Sequence, residues 1–438
     1  MSDWNLEQLK KWDDTIVKLA KSHDLDWYPI NYEVCDYYEM IGNMSYHGMP
    51  SHYNHWSFGK SFERTHQMYN LGVEGLPYEL IINSDPSIAY LMRENPLYLQ
   101  VLIMCHCVGH SDFFKNNRMF SNTRPESIVS GMRNAKKRIQ GYVESPHIGI
   151  KKVESFLDSL HAIQFHVYRH PKEYVSHKEK KAELLEEINR KISKGESPDL
   201  EQLNKIPLDH EQDLFSFLLE HGKGFEDWEI DLIEIVKREA YYFMPQIQTK
   251  IMNEGWASYW HYKLMHELDL PQNLHLPFLK SHNQVVQPHV GRINPYNMGF
   301  YLFNKIEERC GIDEIFVARS VGHDEAFIRQ YLTQEDCEEL NLFTFSTKKD
   351  HYLIDDVSDE EGWKSVKNLL VNQVGANTIP KIYVESIDEG DILVLHHEHD
   401  GRDLELDYAE KVVNHVSKLW KSGLVKLMTV VEDEPFEI

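Results

Sequence analysis

Residues 96–117, PLYLQVLIMCHCVGHSDFFKNN, decide the reading of this chain. Pro96 suits the first turn of a helix, where its missing N–H would have no partner in any case. The residues after it are apolar almost all round, so a helix here must be buried on most sides. His106 and His110 interrupt it at i and i+4, on one face, with ring nitrogens able to converge on one cation. Zinc held by such a pair takes a third protein ligand from elsewhere and leaves a fourth position to water. Two core histidines that merely satisfy their hydrogen bonds would show the same spacing. Cys107 stands where the metalloprotease form of this spacing carries its glutamate base.

The longest helical pattern covers residues 226–268, EDWEIDLIEIVKREAYYFMPQIQTKIMNEGWASYWHYKLMHEL, with Pro245 predicting a kink. A glutamate set among its aromatic and small residues is costly to bury unpaired. Glu254 therefore needs a metal, a base partner or a hydrogen-bond network. Asn253-Glu254-Gly255-Trp256-Ala257-Ser258-Tyr259 resembles the segment by which glutamate-type zincins supply a third ligand downstream of the histidine pair. The expected metal ligands are His106, His110 and Glu254. Their N,N,O donor set favours a divalent ion, zinc first. Asp112 is the candidate for orienting a ligand imidazole through its other nitrogen. His261 lies two turns beyond Glu254 on the same face, as a partner behind the ligands, a substrate contact or a structural histidine.

Proton transfer at such a centre needs a further carboxylate or histidine. Glu239 and His261 stand as the catalytic candidates, beside Glu154, Asp158 and the Glu79 of YELIINSDP, and spacing singles out none of them. Glu154 and Asp158, an i,i+4 acidic pair before His161, fit either a two-metal carboxylate array or a solvated stripe. His47, His52 and His55 share an aromatic stretch, residues 27–60, that reads as irregular and packed. With 25 histidines in the chain, chance clusters are expected.

The 438 residues suggest two or three domains. Residues 1–340 read as a mainly helical domain with a zincin-like core. Residues 172–209, rich in Lys and Glu, form a charged helix and connector within it. Residues 341–438 read as a small α+β domain, from the strand patterns LFTFS, YLID, IPKIYVES and DILVLHHE and two intervening helices. No internal repeat links the two parts. The 46 basic against 70 acidic side chains leave a net charge of −24, which argues against nucleic acid as a partner. No run is long and apolar enough to span a bilayer, and the first residues lack a secretory pattern. Five cysteines without framework spacing fit a reducing compartment, so a cytoplasmic location is expected. The glycine signatures of common nucleotide folds and of serine hydrolases are absent.

Several longer segments, GMPSHYNHWSFGKSFER, YELIINSDPSIAYLM, HCVGHSDFFKNN, VESFLDSLHAIQ, TKIMNEGWASYWH, NPYNMGFYLF, DEAFIRQYLT and HDGRDLELDYAEKVVNHVSKLW, occur together and in order. By these the chain resembles the SpoVR (stage V sporulation protein R) family over most of its length. The resemblance implies a bacterial protein connected with sporulation and formation of the spore cortex, a peptidoglycan layer. It also implies association with a serine kinase system of the PrkA type, and relatives in bacteria that form no spores. It carries across His106, His110, Asp112 and Glu254 as motif positions. The family generally lacks the zincin glutamate too, so Cys107 is no local defect. The wording of HNQVVQPHVGR departs from the family's, which leaves His282 and His289 unassigned. Two functions remain: a metal-dependent hydrolase acting on an amide, with a cell-wall peptide as the candidate substrate, or a non-catalytic scaffold with a buried His/Glu network.

Overall fold

The computed structural model describes residues 3–71, 79–289, 292–348 and 351–438. The chain begins with α1 (Leu6–Ser22), β1 (Ile30–Cys35), α2 (Tyr37–Ser45), α3 (Trp56–Asn70), β2 (Glu79–Ile82), β3 (Ser87–Met92) and α4 (Leu97–Asn116). It continues through α5 (Ile128–Glu144), α6 (Gly149–Ala162), α7 (His177–Ser193), α8 (Leu214–His221) and α9 (Asp227–Gln248). Next come α10 (Lys250–Glu267), α11 (Gln272–Val285), α12 (Pro295–Cys310), α13 (Ile312–Val321), α14 (Asp324–Tyr331) and α15 (Gln334–Glu339). The last stretch holds β4 (Phe343–Lys348), β5 (His351–Val357), α16 (Trp363–Asn372), β6 (Ile382–Asp388), β7 (Ile392–His397), α17 (Leu406–Trp420), β8 (Val425–Val431) and β9 (Glu434–Glu437). The protein is mainly helical, with small sheets.

Internal contacts divide the chain into two units, 1–137 with 245–378 and 138–244 with 379–438. This differs from a cut at residue 340: the segment 341–378, with β4, β5 and α16, groups with the first unit. In that unit β1 runs parallel to β3, and β2 pairs antiparallel on its other side. The sheet corrects the reading of 27–60 as irregular, since β1 and α2 fall inside it. A parallel partner distant in sequence leaves little local signal in a six-residue strand.

α4 is buried continuously from Leu99 to Phe114, as its all-round apolar pattern requires. Its start is held from outside: Asp3 Oδ1 accepts from Leu97 N at 2.9 Å, and Pro96 sits at the N-cap, one residue before the helix. α10 packs between α4 and α12. Both crossings are very close. A Cβ on Gly109 would stand 2.7 Å from Ala257 Cα, and one on Gly255 would stand 2.4 Å from Gly299 Cα.

The long pattern 226–268 is two helices rather than one kinked helix: α9 continues through Pro245 to Gln248, and the chain restarts at Thr249. Thr249 makes no side-chain cap. Asp324, at the start of α14, caps α10 instead, accepting from Ile251 N at 2.9 Å and Met252 N at 3.0 Å. Burial pushes its carboxyl up to about 7, against the downward pull of those N–H groups. A folded pKa above the unfolded value of about 3.9 means that the folded state holds this proton more tightly. Stability from this group is therefore full below about pH 4 and declines as the pH rises to about 7. Asp324→Asn keeps one acceptor and removes the titration. Urea unfolding at pH 5 and pH 8 should differ less in this variant than in the wild type, and an unchanged difference rules the assignment out.

In the second unit the sheet order is β6-β7-β8-β9, with β7 and β8 parallel and the outer pairs antiparallel. α17 lies against β8 and α6. Glu211 pairs with Val384 through two backbone hydrogen bonds of 3.1 and 2.7 Å. α7 buries only Ile188, in keeping with a charged, solvated helix. Among the described residues no helix is long and apolar enough to cross a membrane, and the five cysteines are free thiols.

Candidate metal centre

Three elements of the first unit bring four side chains to one point. α4 contributes His106 and His110, α10 contributes Glu254, and β2 contributes Glu79 from its first residue. One ligand atom from each lies within 4.8 Å of every other, and this is the one such group found among the described residues. His106 Nε2 is 3.4 Å from Glu79 Oε1 and 3.7 Å from Glu254 Oε2. His110 Nε2 is 3.4 Å from Glu254 Oε2. Donors about 2.0–2.1 Å from a tetrahedral ion stand about 3.3–3.4 Å apart. The separations are those of ligands around a cation and are long for hydrogen bonds.

The close helix crossings make this meeting possible. Gly109 lies between the two histidines and lets α4 approach α10 at Ala257, one turn from Glu254. Each imidazole is also held from behind. His110 Nδ1 bonds Asn253 Oδ1 at 2.8 Å, and His106 Nδ1 lies 2.8 Å from His261 Nδ1. His261 Nε2 in turn lies 2.7 Å from His282 Nδ1. With the outer nitrogens engaged, both Nε2 atoms face the cluster.

His106 Nε2 and Glu254 Oε2 are buried with no hydrogen-bond partner. Orphaned buried polar atoms cost about 1–3 kcal/mol each, and one cation among the four ligands would satisfy both. The donor set, two imidazoles and two carboxylates, suits a divalent ion. Burial alone would raise the Glu254 carboxyl, but His106 and His110 outweigh it and hold the group well below the usual carboxylate range. Burial lowers His110, and the Glu254 carboxylate more than offsets this, leaving it raised. Burial, reinforced by neighbouring histidines, keeps His261 far below its ordinary value and brings His282 to about 4. Both are neutral at physiological pH. The Tyr296 ring stacks on His106 with centroids 6.2 Å apart. Burial and then the Glu254 and Glu79 charges raise its phenol well above the ordinary value, so it remains a proton donor beside the carboxylates.

The structure brings His106, His110 and Glu254 together, with His261 directly behind His106 and outside the four clustered residues. Asp112 is elsewhere, which corrects its expected role. Its carboxylate accepts from Trp256 Nε1 at 2.8 Å, Arg319 Nη1 at 2.9 Å and Asp26 N at 2.8 Å. That network knits α1's exit, α10 and α13 to α4, and Asn253 takes the imidazole-orienting place instead. Glu239 is buried on α9 in the second unit and is not one of the four clustered residues, nor are Glu154 and Asp158 on α6. His52 and His55 pack with Phe58 in an aromatic group around the start of α3. Spacing did not single out Glu79 as a member of the cluster, since it stands on β2 with no second ligand at helical spacing beside it. Asn253 was visible only as the neighbour of Glu254.

These features define a mainly helical protein with a buried two-histidine, two-carboxylate cluster able to hold a metal ion. The chain belongs to the SpoVR family: residues 3–379 match the SpoVR-like proteins and residues 380–432 the SpoVR-like C-terminal domain. It is similar to YcgB, an uncharacterized protein of Escherichia coli (strain K12), with 33% identity over 468 aligned residues spanning 95% of this chain and 91% of that protein. No solved structure matches the chain.

Proposed function

We propose that this protein is a metal-dependent hydrolase with a zincin-like centre, in which His106, His110 and Glu254 hold the ion and Glu79 is the general base. The observation that carries the reading is the pair of orphaned buried atoms, His106 Nε2 and Glu254 Oε2, converging with Glu79 Oε1. A divalent ion there, zinc by its donor set, would supply Lewis acidity toward a carbonyl and toward water. Glu79 replaces the base that Cys107 cannot provide, because burial pushes that thiol well above its ordinary range. Its carboxylate takes the proton from the attacking water and returns it to the leaving nitrogen. Tyr296 donates its phenol hydrogen to charge that develops on the carbonyl oxygen. The Glu79 and Glu254 side chains retain 12% and 19% exposure, whereas the two histidines are almost fully covered, so access is from the carboxylate side.

The family's connection with sporulation and the spore cortex points to an amide in a cell-wall peptide or precursor as substrate, handled in the cytoplasm. A PrkA-type serine kinase system is the partner the same reading suggests. Glu79→Gln tests the base directly. The variant should retain one metal per chain, while hydrolysis of cell-wall peptide amides falls about 10²–10⁴-fold. Loss of the metal from this variant supports a second reading, which Glu79 as a fourth ligand favours: a closed, non-catalytic metal site in a regulatory scaffold.

A further inference from the structure

His106 and the two buried histidines behind it, His261 and His282, form a chain of imidazoles, and its direction matters. A ligating imidazole coordinates through an unprotonated nitrogen, and a neutral ring carries its one proton on the other. His106 presents Nε2 to the cluster, so in the coordinating form its proton is on Nδ1. That atom is 2.8 Å from His261 Nδ1, which must then accept. His261 consequently carries its proton on Nε2, 2.7 Å from His282 Nδ1, which must accept in its turn. The opposite polarity puts a proton on His106 Nε2, pointing at the carboxylates, and blocks coordination. All three rings are buried, at 1–2% exposure, so water does not substitute for a missing member.

Resting on the reading of the centre given above, we propose that His261 and His282 are positioning residues for the metal. Through two successive N–H···N bonds they hold His106 in the tautomer whose Nε2 lone pair faces the cluster. The site thereby reaches from α4 through α10 to α11, in a segment whose wording departs from that of the family. His110 is held more simply, by the Asn253 amide oxygen. The two ligands of α4 are thus locked by different devices.

The test uses the full chain, zinc as the probe, and two substitutions at His282. His282→Asn places Oδ1 close to the position of the native Nδ1 and still accepts from His261. His282→Leu fills the space and cannot accept. In competition with a chelator, His282→Leu should bind zinc about 10–100-fold more weakly than wild type, the range typical of lost outer partners. His282→Asn should stay within about threefold. Long-range ¹⁵N spectra of the zinc-loaded wild type should show His106 protonated at Nδ1 and both His261 and His282 at Nε2. The inference is overturned if the leucine and asparagine variants lose affinity equally, or if the leucine variant binds as wild type does. Should the leucine variant fail to fold, the wild-type tautomers decide, and a proton on His261 Nδ1 overturns it. A wild type that takes up no zinc removes the reading of the centre and this inference together, whereas zinc uptake with the wrong tautomers removes only this inference.

Discussion

Glu254→Gln and His106→Ala are each expected to leave purified protein without stoichiometric metal after dialysis, with affinity lowered more than about 100-fold. Loss of outer partners alone typically costs 10–100-fold, and these residues are the proposed ligands themselves. A readout independent of activity is available. A ligand at 100 times its dissociation constant stabilises a protein that binds it only when folded by about 2.7 kcal/mol. Zinc should therefore raise the melting temperature of the wild type and of Glu79→Gln, and leave those of Glu254→Gln and His106→Ala unchanged. Glutamine at 254 keeps the volume of the native side chain, so gross misfolding does not mimic the result. Stoichiometric metal surviving both substitutions would defeat the assignment.

The second large effect concerns the backbone that carries the ligands. Gly255→Ala is expected to destabilise the protein by about 3 kcal/mol, the upper part of the range for overpacked cores. The added Cβ would meet Gly299 at 2.4 Å, and Gly299 has no side chain that could swing away. α10 and α12 would have to separate, carrying Glu254 and Tyr296 out of register with α4. Metal binding should weaken along with stability, and the melting temperature should fall by roughly 3–5 °C. Gly59→Ala is the control, since nothing lies within 4 Å of its added Cβ in α3. Replacing a helical glycine there should stabilise by about 1 kcal/mol. If the two variants melt together, close approach at Gly255 is not what sets the crossing.

Among the ligands, the sequence was most informative where local spacing and chemistry coincide. His106 and His110 on one turn of a helix, and a glutamate isolated among aromatic and small residues, are local facts, and Glu254 follows from the high cost of burying a lone carboxylate. The burial of α4, the charged character of α7 and the strands after residue 340 were legible for the same reason: side-chain period and composition report local surroundings. Family membership was legible as well, in long words that recur in order.

The positions of β1, the break at Thr249 and the true partners of Asp112 were not legible, because each is settled by a residue far away in sequence. Asp112 looked like a histidine's partner by proximity along the chain, yet helix direction turns it to Trp256 and Arg319.

By itself, then, the amino-acid order determined which side chains could not be buried alone, among them two imidazoles and one carboxylate set among mainly apolar and aromatic neighbours. Only the tertiary structure decided what they meet there. It brought Glu79 from a strand edge to within 3.4 Å of His106, and set a row of two further imidazoles behind it. The physical reason is that desolvation is a property of each residue, whereas convergence depends on how closely two backbones approach. Here that distance is fixed by glycines whose importance lies wholly in what is packed against them.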